Sequence, residues 1–340
     1  MRYRKIVCIA LTVLIISAVS ACGAVTPVAP GTAEPEEALP ISNPLSLTTP
    51  EDEDLPTEEP TVAPEAGGEN LEEATPPPQA TQEPASVAEF RDLEPTSFTD
   101  STTIDNPWMP MMPGTRWVYE GTALDDEGNT VGRRIEFTVT DLTKEIAGVK
   151  TVVVWIVDYD DDGVVEKELA FYAQDQDGDV WYLGEYPEEF EDGEFVKASP
   201  WIHGIEDARA GIKMLAAPEV GLPTYYQGWG PAVAWSDYSQ VDQVGQETCV
   251  PLGCYEGVLV IAESSLGETD AYQLKYYASD IGEVRVGWRG EDLTHEELEL
   301  VELVQLNPQE LAEVHTLALG LDSHGFEVSP DVYGQTSPVE

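Results

Sequence analysis

The segment Asp158-Tyr159-Asp160-Asp161-Asp162-Gly163 comes closest to the residue types of a binding loop. In the first half of an EF-hand loop, carboxylates at alternate positions before a glycine converge their oxygens on Ca²⁺, and Asp158, Asp160 and Asp162 hold those places here. The bidentate acid required at the twelfth position falls on Leu169, with Glu166 and Glu168 only beside it. The segment therefore reads first as an acidic hairpin turn, and weak Ca²⁺ binding at the three aspartates is the chemical alternative. Asp175, Asp177 and Asp179 around Gly178 read the same way.

Other reactive residue types lack partners at useful spacing. His295-Glu296-Glu297-Leu298-Glu299 begins like a zinc-binding H-E-x-x-H but has glutamate at the second histidine position. His203, His315 and His324 have no ligand-like spacing and are expected at the surface. There is no G-x-S-x-G elbow and no phosphate-binding loop. Adjacent carboxylates are too common in this chain to mark acid–base chemistry, so no catalytic residue is assigned. Cys249 and Cys254 enclose Val-Pro-Leu-Gly and read as a disulfide closing a turn, given an exported chain. Among the aromatics, Trp117 with Tyr119, Trp181 with Tyr182, and Tyr272 with Tyr276 suit a strand core. Tyr225, Tyr226, Trp229 and Trp235 lie in Gly/Pro-rich sequence, where they could cover a core or form a platform for a ligand.

Whether the chain is exported is decided at its N-terminus. Arg2, Arg4 and Lys5 precede an apolar run over 6–19, too short for a bilayer core that takes about 20 helical residues. Val19-Ser20-Ala21-Cys22 resembles the lipobox of bacterial lipoproteins, which implies a signal peptide over 1–21 and a diacylglyceryl thioether on Cys22. Two or three acyl chains, at ~0.8 kcal/mol per buried methylene, would hold the protein to the membrane on its extracytoplasmic side. Residues 23–100 carry eighteen acidic side chains against one basic, Arg91, with much Pro, Glu and Thr. Such composition cannot bury enough to offset backbone entropy, so 22–100 is expected to be a disordered tether. The whole chain has a formal charge of −49, which disfavours nucleic acid as a partner.

The remainder is patterned for strands. Ile135, Phe137 and Val139 alternate with Arg134, Glu136 and Thr138, and 284–289 repeats the pattern. The stretch 151–157 is apolar on both faces, as a central strand would be. Further strands are expected at 115–123, 165–173, 179–184, 255–264, 270–278 and 297–306, joined by Asp/Gly turns. The stretch 187–235 breaks this rhythm and reads as a long aromatic excursion over the sheet. Asn307-Pro308 with Glu310 predicts a capped helix that Gly320 or Gly325 could end, with a loose tail beyond Ser329. The fold class is thus all-β: one antiparallel meander over 101–306 with a C-terminal helix within 307–340.

The run Asn106-Pro107-Trp108-Met109-Pro110-Met111-Met112-Pro113-Gly114-Thr115-Arg116-Trp117-Val118-Tyr119-Glu120-Gly121 resembles the opening of a family of uncharacterised bacterial lipoprotein domains. The similarity continues through Tyr172–Asp175 with Gly178 to Glu185, then 250–255, Tyr276–Ala278 and 281–285. Related extracytoplasmic domains, TapB-like ones among them, resemble the lipoprotein-localisation proteins. The resemblance implies a curved sheet or open half-barrel whose concave face could hold a helix or an apolar ligand, and it transfers no catalytic residue. The reading that follows is a membrane-anchored, non-enzymatic domain for an apolar ligand, a lipid or an envelope protein. A cation-responsive surface module using the acidic turns is the alternative, and a hydrolase the third reading.

Overall fold

The computed structural model describes residues 90–340, apart from Asp126. Cys22, the signal peptide and most of the expected tether lie outside the described residues. The strands are β1 Thr115–Leu124, β2 Thr130–Ile146, β3 Val149–Asp160, β4 Gly163–Gln174, β5 Val180–Glu191, β6 Glu194–Ala198 and β7 Trp201–Ile202. They continue as β8 Arg209–Met214, β9 Tyr225–Gly230, β10 Trp235–Val250, β11 Gly253–Ser264, β12 Ala271–Ala278, β13 Gly282–Gly290 and β14 Glu297–Gln305. One helix, α1, spans Pro308–Val328.

These strands close on themselves. The antiparallel ladder runs β4-β3-β2-β1-β14-β13-β12-β11-β10-β9-β8-β5, and β5 pairs back onto β4, giving a barrel of 12 strands. The expected open half-barrel is therefore corrected to a closed one. The reason lies in the stretch taken for an excursion. Residues 201–230 contain β7, β8 and β9, and β8 joins β5 to β9 through Val180↔Met214 and Arg209↔Trp229. β6, β7 and β8 follow one another along the same edge of β5, so only β6 and β7 are outside the ring. Closure removes the unpaired edges that an open sheet would present.

The register defines two ends. One carries the turns at 161–162, 192–193, 265–270 and 291–296; the other carries 147–148, 175–179, 251–252 and 279–281. The second end is closed by the stretch before β1, which bridges Ile104 to Met111. Asn106 fixes that plug. Its buried side-chain amide donates to the carbonyls of Gly178 (3.0 Å) and Leu215 (3.1 Å), and its Oδ1 accepts from the Trp108 amide (2.9 Å).

Two apolar layers result from period-two alternation. The inner one includes Trp117, Tyr119, Ile135, Ile156, Leu259, Ile261 and Leu298. The outer one, over β3, β4 and β5, includes Val153, Trp155, Leu169, Phe171 and Leu183, covered by Val314, Ala318 and Leu321 of α1. That cover is why β3 is apolar on both faces. Asn307 caps α1 as expected, its Oδ1 accepting from the Gln309 and Glu310 amides while Glu310 accepts from the Asn307 amide.

Three expectations differ from the structure. α1 passes both glycines to end at Val328, because Gly325 packs against the rings of Tyr333 and Tyr186 where a Cβ would not fit. The tail expected to be loose is packed: Tyr333 and Val339 are buried, and Glu340 exchanges two backbone hydrogen bonds with Thr143. The tether was expected to run to residue 100, yet residues 90–100 dock on the barrel. Phe90 stacks on Tyr226 with ring centroids 3.7 Å apart, Arg91 pairs with Asp179, and Phe98 meets Trp181 edge-on.

Candidate functional site

The barrel interior holds a cavity of about 140 Å³. Met109, Pro110 and Met111 of the plug form its floor, and Glu166, Pro187, Glu189, Trp235 and Asp237 line it toward the opposite end. A continuous aromatic belt forms one wall. Trp117 meets Phe137 edge-on at 5.7 Å, Phe137 leads to Tyr172, and Tyr172 stacks on Tyr182 at 4.7 Å. Tyr182 meets Trp201 edge-on at 5.2 Å, and Trp201 stacks on Trp235 at 4.6 Å. Gly228 and Gly230 make room for that indole pair, since a Cβ on either would lie 2.7 Å from a tryptophan atom. Trp117 and Tyr119 are held from their far ends, the indole donating to the Ile281 carbonyl (2.8 Å) and the phenol to the Glu283 carbonyl (3.0 Å).

Charged side chains occupy the rest of the interior, an arrangement costly unless they are paired. Lys213 Nζ donates to Glu263 Oε1 and to Gln227 Oε1, both at 2.8 Å, and Gln227 Nε2 donates to Glu263 Oε1 at 2.6 Å. Burial alone would raise the Glu263 carboxyl; Lys213 and Lys275 overcome it and hold that group far below the usual carboxylate range. Burial would lower the Lys275 ammonium, but Glu283, Glu263 and Glu296 keep it above the ordinary lysine range. Arg133 pairs with Asp158 at 3.3 Å, both being buried. Burial nonetheless pushes the Asp158 carboxyl up to about 7, against the pull of Arg133.

Neither of these ion pairs involves Glu168 or Glu185. The Tyr182 hydroxyl lies 3.1 Å from Glu168 Oε1 and bonds Glu185 more closely still. Burial, then the neighbouring Glu185, raises Glu168 well above the ordinary glutamate range. Burial and the same two carboxylates raise Tyr182, so its phenol stays neutral and donates its one proton. Of the charged groups lining the cavity among the described residues, six are carboxyl groups and two are lysines.

The structure disperses most of the residues proposed from sequence. Asp158 faces the interior, whereas Asp160 sits at the hairpin tip and accepts from the Asp162 (2.8 Å) and Gly163 (3.1 Å) amides. Asp175 Oδ1 likewise accepts from the Asp177 and Asp179 amides, and its Oδ2 from the Trp181 indole. These carboxylates cap turns. Among the described residues no group of three or more His, Cys, Asp or Glu is arranged to hold a metal ion. Cys249 and Cys254 are bonded across the β10–β11 turn, away from the lumen.

The four aromatics do not form one platform. Trp235 lines the cavity; Tyr225 belongs to the cluster containing Trp181 and Ile212; Tyr226 and Trp229 gather around Phe90. His315 contacts Asp141 at 2.8 Å and His324 contacts Glu188 at 2.6 Å, both on the outer side, while His203 is half-buried. Sequence reasoning missed the interior charges, although one signal was present. Glu263 shares its strand face with Leu259 and Ile261, and Lys275 shares one with Tyr277, so each stands where an apolar residue belongs.

No family model matches the chain, and no curated protein matches it. Two solved structures resemble it. One is a candidate lipoprotein of Parabacteroides distasonis, 14% identical, covering 61% of this chain and all of its own, with a TM-score of 0.31. The other is a candidate exported protein of Bacteroides fragilis with a YmcC-like fold, 14% identical, covering 58% of this chain and 98% of its own, with a TM-score of 0.30. At these values the architecture rests on this chain's own strand pairing. No helix among the described residues is long and apolar enough to cross a membrane.

Proposed function

We propose that this chain is a lipid-anchored extracytoplasmic protein whose barrel binds a small, largely apolar molecule, acting by binding rather than by catalysis. The basic, apolar and small-residue order of 1–22 supports the anchor at Cys22. The lumen carries the binding reading. It is closed at one end by a plug that Asn106 fixes, walled by aromatic rings, and about 140 Å³ in volume. An apolar cavity of roughly 150 Å³ accommodates benzene, which sets the size of the apolar body expected here. Anchoring and ligand capture together describe a module that holds a small molecule near the membrane surface. The lumen is favoured over a cation-responsive module because, among the described residues, no group of three or more His, Cys, Asp or Glu is arranged to hold a metal ion.

Benzyl alcohol is a suitable first probe. Titrated into the full chain, it should raise the melting temperature, because a ligand of the folded state stabilises it by RT ln(1 + [L]/Kd). Ile156→Phe, which puts extra volume among lining residues, should abolish that rise. An equal rise in Ile156→Phe would place the ligand elsewhere and defeat the proposal.

A further inference from the structure

We infer that the lumen selects a small organic cation: an ammonium group seated between Glu168 and Glu185, with its apolar body against the aromatic belt. The inference rests on the lumen-binding reading above and names the ligand class for it. Three observations carry it. The first is the Glu168–Tyr182–Glu185 bridge, where two cavity-lining carboxyl groups meet at one phenol hydroxyl and neither enters the ion pairs named above.

The second is unused acceptor capacity in the same interior. Glu263 and Glu296 are fully buried, and one oxygen of each has no hydrogen-bond partner among the described residues. Both lie behind the cavity lining, Glu263 against Lys213 and Glu296 against Gln273, and buried acceptors without donors bias the interior toward a ligand that brings positive charge and N–H groups. An anion or a neutral acceptor brings neither. The third is the wall itself. Tyr172, Tyr182 and Trp235 line the same space as the two carboxyl groups, and aromatic rings beside a desolvated cation attract it. Lys213 does not neutralise the pair, since its ammonium is engaged by Glu263 and Gln227. A neutral molecule of the same shape gains only the apolar contact.

Benzylammonium and benzyl alcohol have nearly the same volume and differ in charge at pH 7.4. Isothermal titration of both into the full chain, at 0.15 M salt to screen its diffuse acidic surface, separates the possibilities. The expected result is benzylammonium bound at least about tenfold more tightly than benzyl alcohol. That preference, read as the ratio of the two affinities, should vanish in the Glu168→Gln/Glu185→Gln double variant. Equal affinities in the unmodified chain would overturn the cation inference and leave the lumen reading standing. Binding of neither probe would remove the lumen reading and this inference with it. A preference that survives in the double variant would assign the cation to the outer acidic surface and overturn the proposed seat.

Discussion

Glu168 shows how one buried carboxyl can oppose folding. Its carboxyl is buried beside Glu185, Glu166 and Asp158, so the folded state holds its proton more firmly than the unfolded chain does. In the pH window between the unfolded and the raised folded value, the folded state therefore binds more protons. Stability falls as pH rises through that window, by about 1.4 kcal/mol per pH unit for a single group. Glu168→Gln removes this term. Urea unfolding at pH 5 and pH 8 should show the variant gaining on the parent as pH rises; a constant difference would mean that Glu168 is ionised as easily in the fold as in water. Sequence could not single out this residue. In a chain of 65 acidic side chains, alternation places carboxylates on both faces of many strands, and Glu166 and Glu168 look alike until the ring closes around them.

At the scale of elements, the C-terminal tail is the best case of a structure that local sequence conceals. Lys144 points outward from β2, is fully buried, and donates to Asp322 of α1 (3.1 Å) and to the Ser337 carbonyl (2.6 Å). Its ammonium lies 4.2 Å from the centre of the Tyr333 ring, and Tyr333 donates to the same Asp322 oxygen. Helix, tail and barrel are thus joined at one buried charge. Asp322→Ala would strand Lys144 and should cost about 3–5 kcal/mol, seen as a lower urea midpoint with far-UV circular dichroism of the native type kept in water. A loss below about 1 kcal/mol would show that the tail does not bury Lys144. The helix start was legible because Asn307, Pro308 and Glu310 form a cap by local rules. Its end and the docked tail were not, because they depend on Tyr186 and Lys144, more than 130 residues earlier. The strands 115–123, 255–264 and 270–278 were legible for a similar reason: alternation is local. β8 and β9 were obscured by glycines whose role is to accept a neighbour's backbone or an indole ring.

Taken whole, the molecule turns an open meander into a vessel. Strands β8 and β9 supply the arc that lets β5 return to β4, and the stretch before β1 closes one end. What remains is a lumen with an aromatic wall and, among the described residues, more carboxyl groups than cations. Methyl NMR with selectively labelled isoleucine and leucine, titrating benzylammonium into the full chain, tests that claim most directly. Ile135, Ile156 and Leu298 line the lumen, whereas Leu317 and Leu266 are exposed on the outside. Binding in the lumen predicts saturable shifts at Ile135, Ile156 and Leu298 with Leu317 and Leu266 unmoved. Shifts confined to the outer methyls, or none at any concentration, would contradict it.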